Sequence, residues 1–340
     1  MAERIGIAVA GNWIIDHVKL IDHWPAELTL ANILGESTGT GGAPYNVGVD
    51  LHRLDPALPL EAIGLVGRDG DGEQIFRTMI EINCNTRQLR RVSDAPTSYT
   101  DVMTVRSTGR RTFFHNRGAN ALLGYEHFEI EAIRAKILHL GYLLLLDRLD
   151  AADKEYRTVA GRLLHDLRAN GIRTSVDVVS EDSERFGLIV NPALPHIDYL
   201  TLNEFEACRT TGHEPRQGEA LDLAAVRASA RVLLARGVNE RVVIHMPEGG
   251  FALDRAGREV FQPSLKLPPD FVKGTAGAGD AFCAGVLYGA YHDWPIENCL
   301  RLAVCAGAAC LTDPTCTAGM RSLHDTLALA EAYPFLPNSL

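Results

Sequence analysis

Short apolar runs recur along the chain with little alternation inside them: IGIAVAG, LEAIGLVG, AKILHLGYLLLL, RTSVDVV, DYLTLN and ERVVIHM. A strand with one wet face alternates apolar and polar residues, so runs without alternation must be buried on both faces. Between the runs the spacing changes. In YRTVAGRLLHDLRAN the residues Val159, Leu163 and Leu167 fall at four-residue steps, and DLAAVRASARVLLARGV repeats at three and four; both patterns predict amphipathic helices. Strands alternating with helices predict an α/β fold, a mainly parallel central sheet flanked by helices.

Two segments break the alternation: HVKLIDHWPAELTLANILGESTGTGG and PTSYTDVMTVRSTGRRTFFHNRGAN, in which β-branched and aromatic residues alternate with polar ones across turn signals. They predict a small antiparallel sheet built from about 12–45 and 95–120. Folded beside the main sheet, it would serve as a lid or a dimer surface. No repeat, low-complexity tract or linker interrupts the chain, so 1–340 reads as one domain.

With 46% hydrophobic and 22% charged residues, the 340-residue chain can bury a sizeable core. Its formal charge of -10 excludes a phosphate-backbone partner, because nucleic-acid binding needs a basic face. Any phosphate must then be held locally, by loop amides, a helix N-terminus or a metal ion. Seven Cys without a CxxC pair indicate neither a disulfide framework nor a zinc ribbon, and fit a reducing cytoplasm. The N-terminus lacks a secretory pattern and no apolar stretch reaches the roughly 20 residues of a membrane helix, so no membrane partner is expected.

The stretch VKGTAGAGDAFCAGVLYGA carries the most chemistry. After Asp280 it is apolar or small around the whole helical wheel, so the helix must be buried. Its first turn has backbone N–H groups without intrahelical acceptors and the positive end of the macrodipole, and Gly277 and Gly279 let successive amides converge on one anion. A carboxylate beside an anion site gains nothing from binding the anion. It makes sense as a base that takes a proton from an attacking hydroxyl, with a pKa lowered by the helix N-terminus. The bland alternative is an Asp that merely caps a buried helix. Phe282 at the third glycine position of G-x-G-x-x-G, and the absence of any G-x-x-x-x-G-K-[ST], disfavour a dinucleotide or Walker site.

Upstream, Gly41 and Gly42 in TGTGGAPYNVGVDLHRL allow close backbone approach to a ligand, with Asn46 as donor and acceptor. Asp16 ends an apolar strand and could accept two hydroxyl donors. In YLTLNEFEA, Asn203 and Glu206 lie three apart, either as oxygen ligands on one helix face, suited to Mg2+ through water, or as a cap.

Together GGAPYN, GLVGRDGDG, LNEFEA and GTAGAGDAFCAG resemble, in order and spacing over nearly the whole chain, the ribokinase or PfkB family of carbohydrate kinases. The resemblance implies a ribokinase-like fold with a small β lid over a sugar site, often dimerising through that lid. It implies an ATP-dependent kinase with Asp280 as base and Gly277, Ala278 and Gly279 as anion hole. Asp16, Gly41, Gly42 and Asn46 match sugar positions, and Asn203 with Glu206 matches the metal and phosphate motif. MPEGGFALD and AVCAGAACLTDPTCTAG match regions enclosing adenine, with Gly250 and Thr275 among the nucleotide contacts. Gly274, Thr275 and Ala276 stand where relatives carry Asp and two hydroxyl-bearing residues; that Asp helps hold potassium, so K+ dependence is left open. Gly48 and Asp55 replace the usual Ala and Gly.

GGAP followed by one residue and Asn is more similar to fructokinases and ketodeoxygluconate kinases than to ribokinases, which usually have Lys after the glycine pair. The implied acceptor is a hydroxymethyl group of an unphosphorylated ketose such as fructose, or of a keto-deoxy sugar acid. The alternatives are a nucleoside kinase, with Phe113, Tyr45 and Trp13 flanking a base, and a catalytically silent sugar or nucleotide sensor.

Overall fold

The computed structural model describes residues 3–181 and 183–337. Its central sheet has nine strands in the order Glu259–Pro263, Gly249–Asp254, Arg241–Met246, Tyr199–Asn203, Arg173–Val178, Ile137–Leu143, Ile7–Gly11, Leu60–Gly67, Asn85–Val92. From Arg241–Met246 to Asn85–Val92 every pairing is parallel, and two antiparallel strands close the other edge. The strand Ile7–Gly11 shows why its run does not alternate. Ile7 and Val9 enter the core under the helices Ala43–Leu54 and Ala278–Tyr291, whereas Ala8 and Ala10 enter the core on the opposite face, with Leu163 and Leu167 of the helix Val159–Ala169. Each residue of this strand is dry, whichever way it points.

Chain order reverses at Ile7–Gly11: Leu60–Gly67 is laid on one side of it and Ile137–Leu143 on the other. In open α/β sheets such a switch point leaves a crevice outside the carboxyl ends of the strands. The residues that gather there follow or end successive strands: Asp16, Tyr142, Asp177, Asn203 and His245.

The second sheet has the order Ile33–Gly41, Ile14–Ile21, Ser98–Val105, Arg111–Asn116. Both hairpins are antiparallel, but they meet along a parallel seam between Ile14–Ile21 and Ser98–Val105, which corrects the expectation of an antiparallel sheet. The reason lies in the connections. Ile14–Ile21 continues from Ile7–Gly11, and Ser98–Val105 follows Asn85–Val92 after a short loop; strands continuing from two parallel strands keep one direction. Trp24, Leu28, Leu30, Ile33, Leu34, Phe113 and Phe114 stay exposed on or beside this sheet. Among the described residues no helix is long and apolar enough to cross a membrane. The seven cysteines are buried free thiols.

Candidate active site

The helix Ala278–Tyr291 is buried from Asp280 to Ala290, as its apolar wheel requires. It starts from Gly277 at φ 78, where a Cβ would stand 2.2 Å from the Cys316 carbonyl oxygen. Only glycine takes this left-handed turn without strain. The turn brings Asp280 inward, 7% exposed, where the Asn46 amide donates to its Oδ2 at 2.7 Å and the Tyr142 hydroxyl to its Oδ1 at 2.8 Å. Burial raises the Asp280 pKa above the ordinary carboxylate value, and those two donors only partly oppose it. The sequence-based expectation of a lowered pKa is therefore corrected: desolvation outweighs the helix terminus.

Asp16 reaches the same place from the second sheet. Burial, opposed by a Thr100 hydrogen bond and reinforced by the Asp280 charge, lifts its pKa to about 6, with Arg111 pulling the other way. Gly41 is small for a reason: a Cβ there would meet the Asp16 Oδ2 at 2.8 Å. Gly42, at φ 83, brings its backbone against the Asn12 carbonyl, 1.8 Å from where a Cβ would sit. The helix Ala43–Leu54 begins at once, and its buried Asn46 keeps Oδ1 without a partner among the described residues. Asp16, Gly41, Asn46 and Asp280 are thus brought together around polar atoms still free to bind. One turn beyond Asn46, Asp50 is fully buried with neither oxygen paired among the described residues, and burial and the Asp280 charge favour its protonated form.

Beside the first turn of the helix Ala278–Tyr291 lies a cavity of about 440 Å³. Asn203, His245, Thr275, Ala278, Gly279 and Phe282 form part of its wall. Gly250 does not reach it. The Phe282 ring occupies the space a Gly250 side chain would take, 2.7 Å from a Cβ, and neighbouring Gly249 lines the cavity instead. Alternation along the strand Gly249–Asp254 explains the exchange. Gly274 packs against Pro314, whose Cα lies 2.7 Å from where a Cβ would sit, so an Asp side chain has no room there unless the loop moves.

Asn203 and Glu206 form a capping box. The Asn203 carbonyl oxygen Oδ1 accepts from the Glu206 N–H at 2.9 Å, and Glu206 Oε2 accepts from the Asn203 N–H at 2.9 Å. Ser180 donates to the remaining Glu206 oxygen at 2.8 Å. The cap reading left open by the sequence is present. Burial pushes Glu206 up to about 7 and holds Asp177 well above the carboxylate range, with the Glu206 charge adding to the latter. A hydrated divalent cation would relieve both, so these hard oxygen donors fit Mg2+. Among the described residues no cluster of three or more His, Cys, Asp or Glu could hold a metal by itself.

Sequence reasoning missed Tyr142, Thr100, Arg111 and Asp177. Tyr142 sits inside an apolar run, and nothing in the pattern distinguishes it from a packing aromatic. Trp13 and Tyr45, expected near a base in the nucleoside alternative, are core residues, the Trp13 indole N–H donating to the Ile63 carbonyl at 2.9 Å. Phe113 is 64% exposed on the second sheet.

The pfkB family carbohydrate kinase model matches residues 7–323. The chain is 27% identical over 307 residues to a ribokinase of Arabidopsis thaliana, covering 90% of this chain and 76% of that protein. It is 23% identical to a 5-dehydro-2-deoxygluconokinase of Geobacillus kaustophilus, over 83% of this chain and 82% of the relative. The solved structure of Arabidopsis thaliana ribokinase complexed with ribose and ATP superposes with a TM-score of 0.78 at 22% identity, covering 96% of this chain and 98% of that one. Fold and matching model together define a phosphotransferase of the ribokinase-like class. The chain belongs to the pfkB family of carbohydrate kinases, which are ATP-dependent.

Proposed function

We propose that this kinase transfers the γ-phosphate of ATP to the hydroxymethyl group of a small unphosphorylated sugar, a ketose such as fructose or a keto-deoxy sugar acid. The observation that carries the reading is the paired placement of Asp16 and Asp280 on the acceptor side. Two carboxyl groups with Arg111 and His17 beside them repel a phosphate already on the acceptor, and Ala43 rather than a lysine follows the glycine pair. Their oxygens, with the free Asn46 Oδ1, accept and orient hydroxyls.

In this reading the nucleotide occupies the 440 Å³ cavity. Its terminal phosphate lies on the first-turn amides of the helix Ala278–Tyr291. Asp280, held by Asn46 and Tyr142, orients the acceptor hydroxyl and takes its proton as the phosphorus is attacked in line. Positioning and amide dipoles supply most of the catalysis, and magnesium held through water by Asn203 and Glu206 would supply charge neutralisation on the phosphates. Gly274 leaves no acid for a potassium ion, so turnover is expected without it. The exposed apolar residues of the second sheet are assigned to a second copy of the chain, which would close both acceptor sites together.

The test is coupled-assay turnover of the purified enzyme with MgATP against fructose, keto-deoxy sugar acids, their phosphorylated counterparts and nucleosides, in sodium and in potassium buffer. Turnover confined to phosphorylated sugars or nucleosides overturns the acceptor class. ATP binding without turnover on any acceptor favours the sensor reading.

Asp16→Asn is expected to raise KM for the sugar roughly 10- to 100-fold, the value of a hydrogen bond to a charged group, with KM for ATP unchanged. The sign of the pH effect follows from the raised pKa of about 6: the ionised acceptor form exists above that pH. Sugar KM should therefore fall as pH rises through about 6, and the Asn variant should lose this dependence.

A further inference from the structure

Asp50 lies four residues after Asn46 on the helix Ala43–Leu54, so the two side chains share a face. Helical side chains lean back toward the N-terminus, which carries the Asp50 carboxyl toward the Asn46 amide. Asp50 is 0% exposed and Asn46 2%. Three oxygens on this face have no partner among the described residues: Asn46 Oδ1 and both oxygens of Asp50. With Asp50 ionised all three are acceptors, and buried acceptors without a donor are costly.

The donors nearby turn elsewhere. The Cys310 thiol faces the carbonyl oxygens of Cys316 and Ala276, at 3.1 and 3.4 Å, and Arg53 Nη1 donates to the Thr317 carbonyl at 2.7 Å. A proton on Asp50 resolves the mismatch, because it turns one of the three acceptors into a donor. The surroundings favour that proton: burial and the charge of Asp280, from the helix Ala278–Tyr291, hold the carboxyl well above the ordinary carboxylate range, and Arg53 only partly opposes them. The other titratable groups that feel Asp50 are the thiols of Cys310, which ends the helix Ile296–Cys310, and of Cys316 in the loop beyond; burial raises both well above the ordinary thiol value, so neither adds charge.

We infer that Asp50 is a positioning residue: as a neutral carboxylic acid it donates its O–H to Asn46 Oδ1, directly or across one buried water, and so holds the amide with its N–H2 turned to Asp280. The second bond of the relay is the one already described, from the Asn46 amide to Asp280 Oδ2 at 2.7 Å. An amide polarised from behind is the stronger donor in front. The other lone pair of Asn46 Oδ1 stays available to an acceptor hydroxyl. This deepens the proposed reaction and rests on Asp280 acting there as base, though not on which sugar is phosphorylated.

Turnover against pH, measured for the unaltered enzyme, Asp50→Leu and Asp50→Asn, tests the relay. Leucine keeps the branched shape without a donor, so kcat at neutral pH should fall about 5- to 100-fold, the range for leaving a buried polar group unpaired. The Asn46 hydrogen bond lowers the Asp280 pKa; weakening it should displace the rising limb of kcat to higher pH, which a loss of packing alone would not do. Asparagine offers an N–H in place of the acid O–H and should restore most of the rate and return the limb. An unmoved limb and rate in Asp50→Leu would reduce Asp50 to packing, and an Asp50→Asn variant as impaired as Asp50→Leu would mean that the ionised carboxylate serves; either overturns the inference. Infrared difference spectra between the unaltered protein and Asp50→Asn at neutral pH read the proton without turnover and without the leucine variant. A carboxylic-acid C=O band that vanishes on substitution is expected, and its absence overturns the inference while leaving the kinase reading intact. Full turnover by Asp280→Asn would instead sink the proposed reaction, and the relay's role with it, whether or not the band is present.

Discussion

Asp280→Asn is expected to lower kcat by about 100- to 10,000-fold, the range supplied by a positioned general base, with KM for ATP nearly unchanged. The substitution keeps the size of the side chain and its place beside Asn46 and Tyr142, so the fold should survive; circular dichroism and the ATP affinity check this. The raised pKa sets a second expectation. In the proposed reaction the carboxyl group acts as base only when ionised, so in the unaltered enzyme kcat should rise with pH across a carboxylate titration displaced above its ordinary range. The Asn variant should show no such limb. A variant retaining more than about a tenth of the original kcat would remove Asp280 from proton transfer.

The second large effect concerns backbone. Gly277→Ala forces a side chain into a left-handed turn at φ 78 and puts its Cβ 2.2 Å from the Cys316 carbonyl oxygen. The conformation alone costs roughly 1–2 kcal/mol, and relief of the clash must shift either the helix start or the Cys316 loop. A displaced first turn would misaim the amides on which the proposed reaction places the transferring phosphate. Losing one such donor elsewhere costs about 100- to 1,000-fold in kcat, and a comparable loss is expected here, together with a melting temperature lower by a few degrees. Gly257→Ala is the control, because Gly257 has φ +83 but open space around it. It should share the conformational cost and keep full activity. Equal activity of the two variants would separate the glycine turn from catalysis.

Parts of this geometry were visible in the sequence because they depend on local rules. Apolar runs buried on both faces have no alternation, which is why IGIAVAG and ERVVIHM announce a covered parallel sheet. The all-apolar wheel after Asp280 announces a buried helix, and glycines before it announce a turn that other residues cannot make. Other features were hidden. The parallel seam of the second sheet depends on which way two distant strands leave the first sheet, and no local pattern encodes that direction. Tyr142 looks like one more apolar residue in a run, and nothing in the sequence tells which of Gly249 and Gly250 lines the cavity.

The sequence by itself determined the layered architecture, the family and the identity of the acid at the head of the buried helix, since each rests on residues close together in the chain. Only the tertiary structure decided what that acid experiences. Its hydrogen bonds come from Asn46, 234 residues away, and Tyr142, 138 away, and its raised pKa comes from burial by elements that meet only when the sheet is complete. Charge, desolvation and hydrogen bonding act over a few ångströms of space rather than along the chain, so the chemistry of the site was settled by folding.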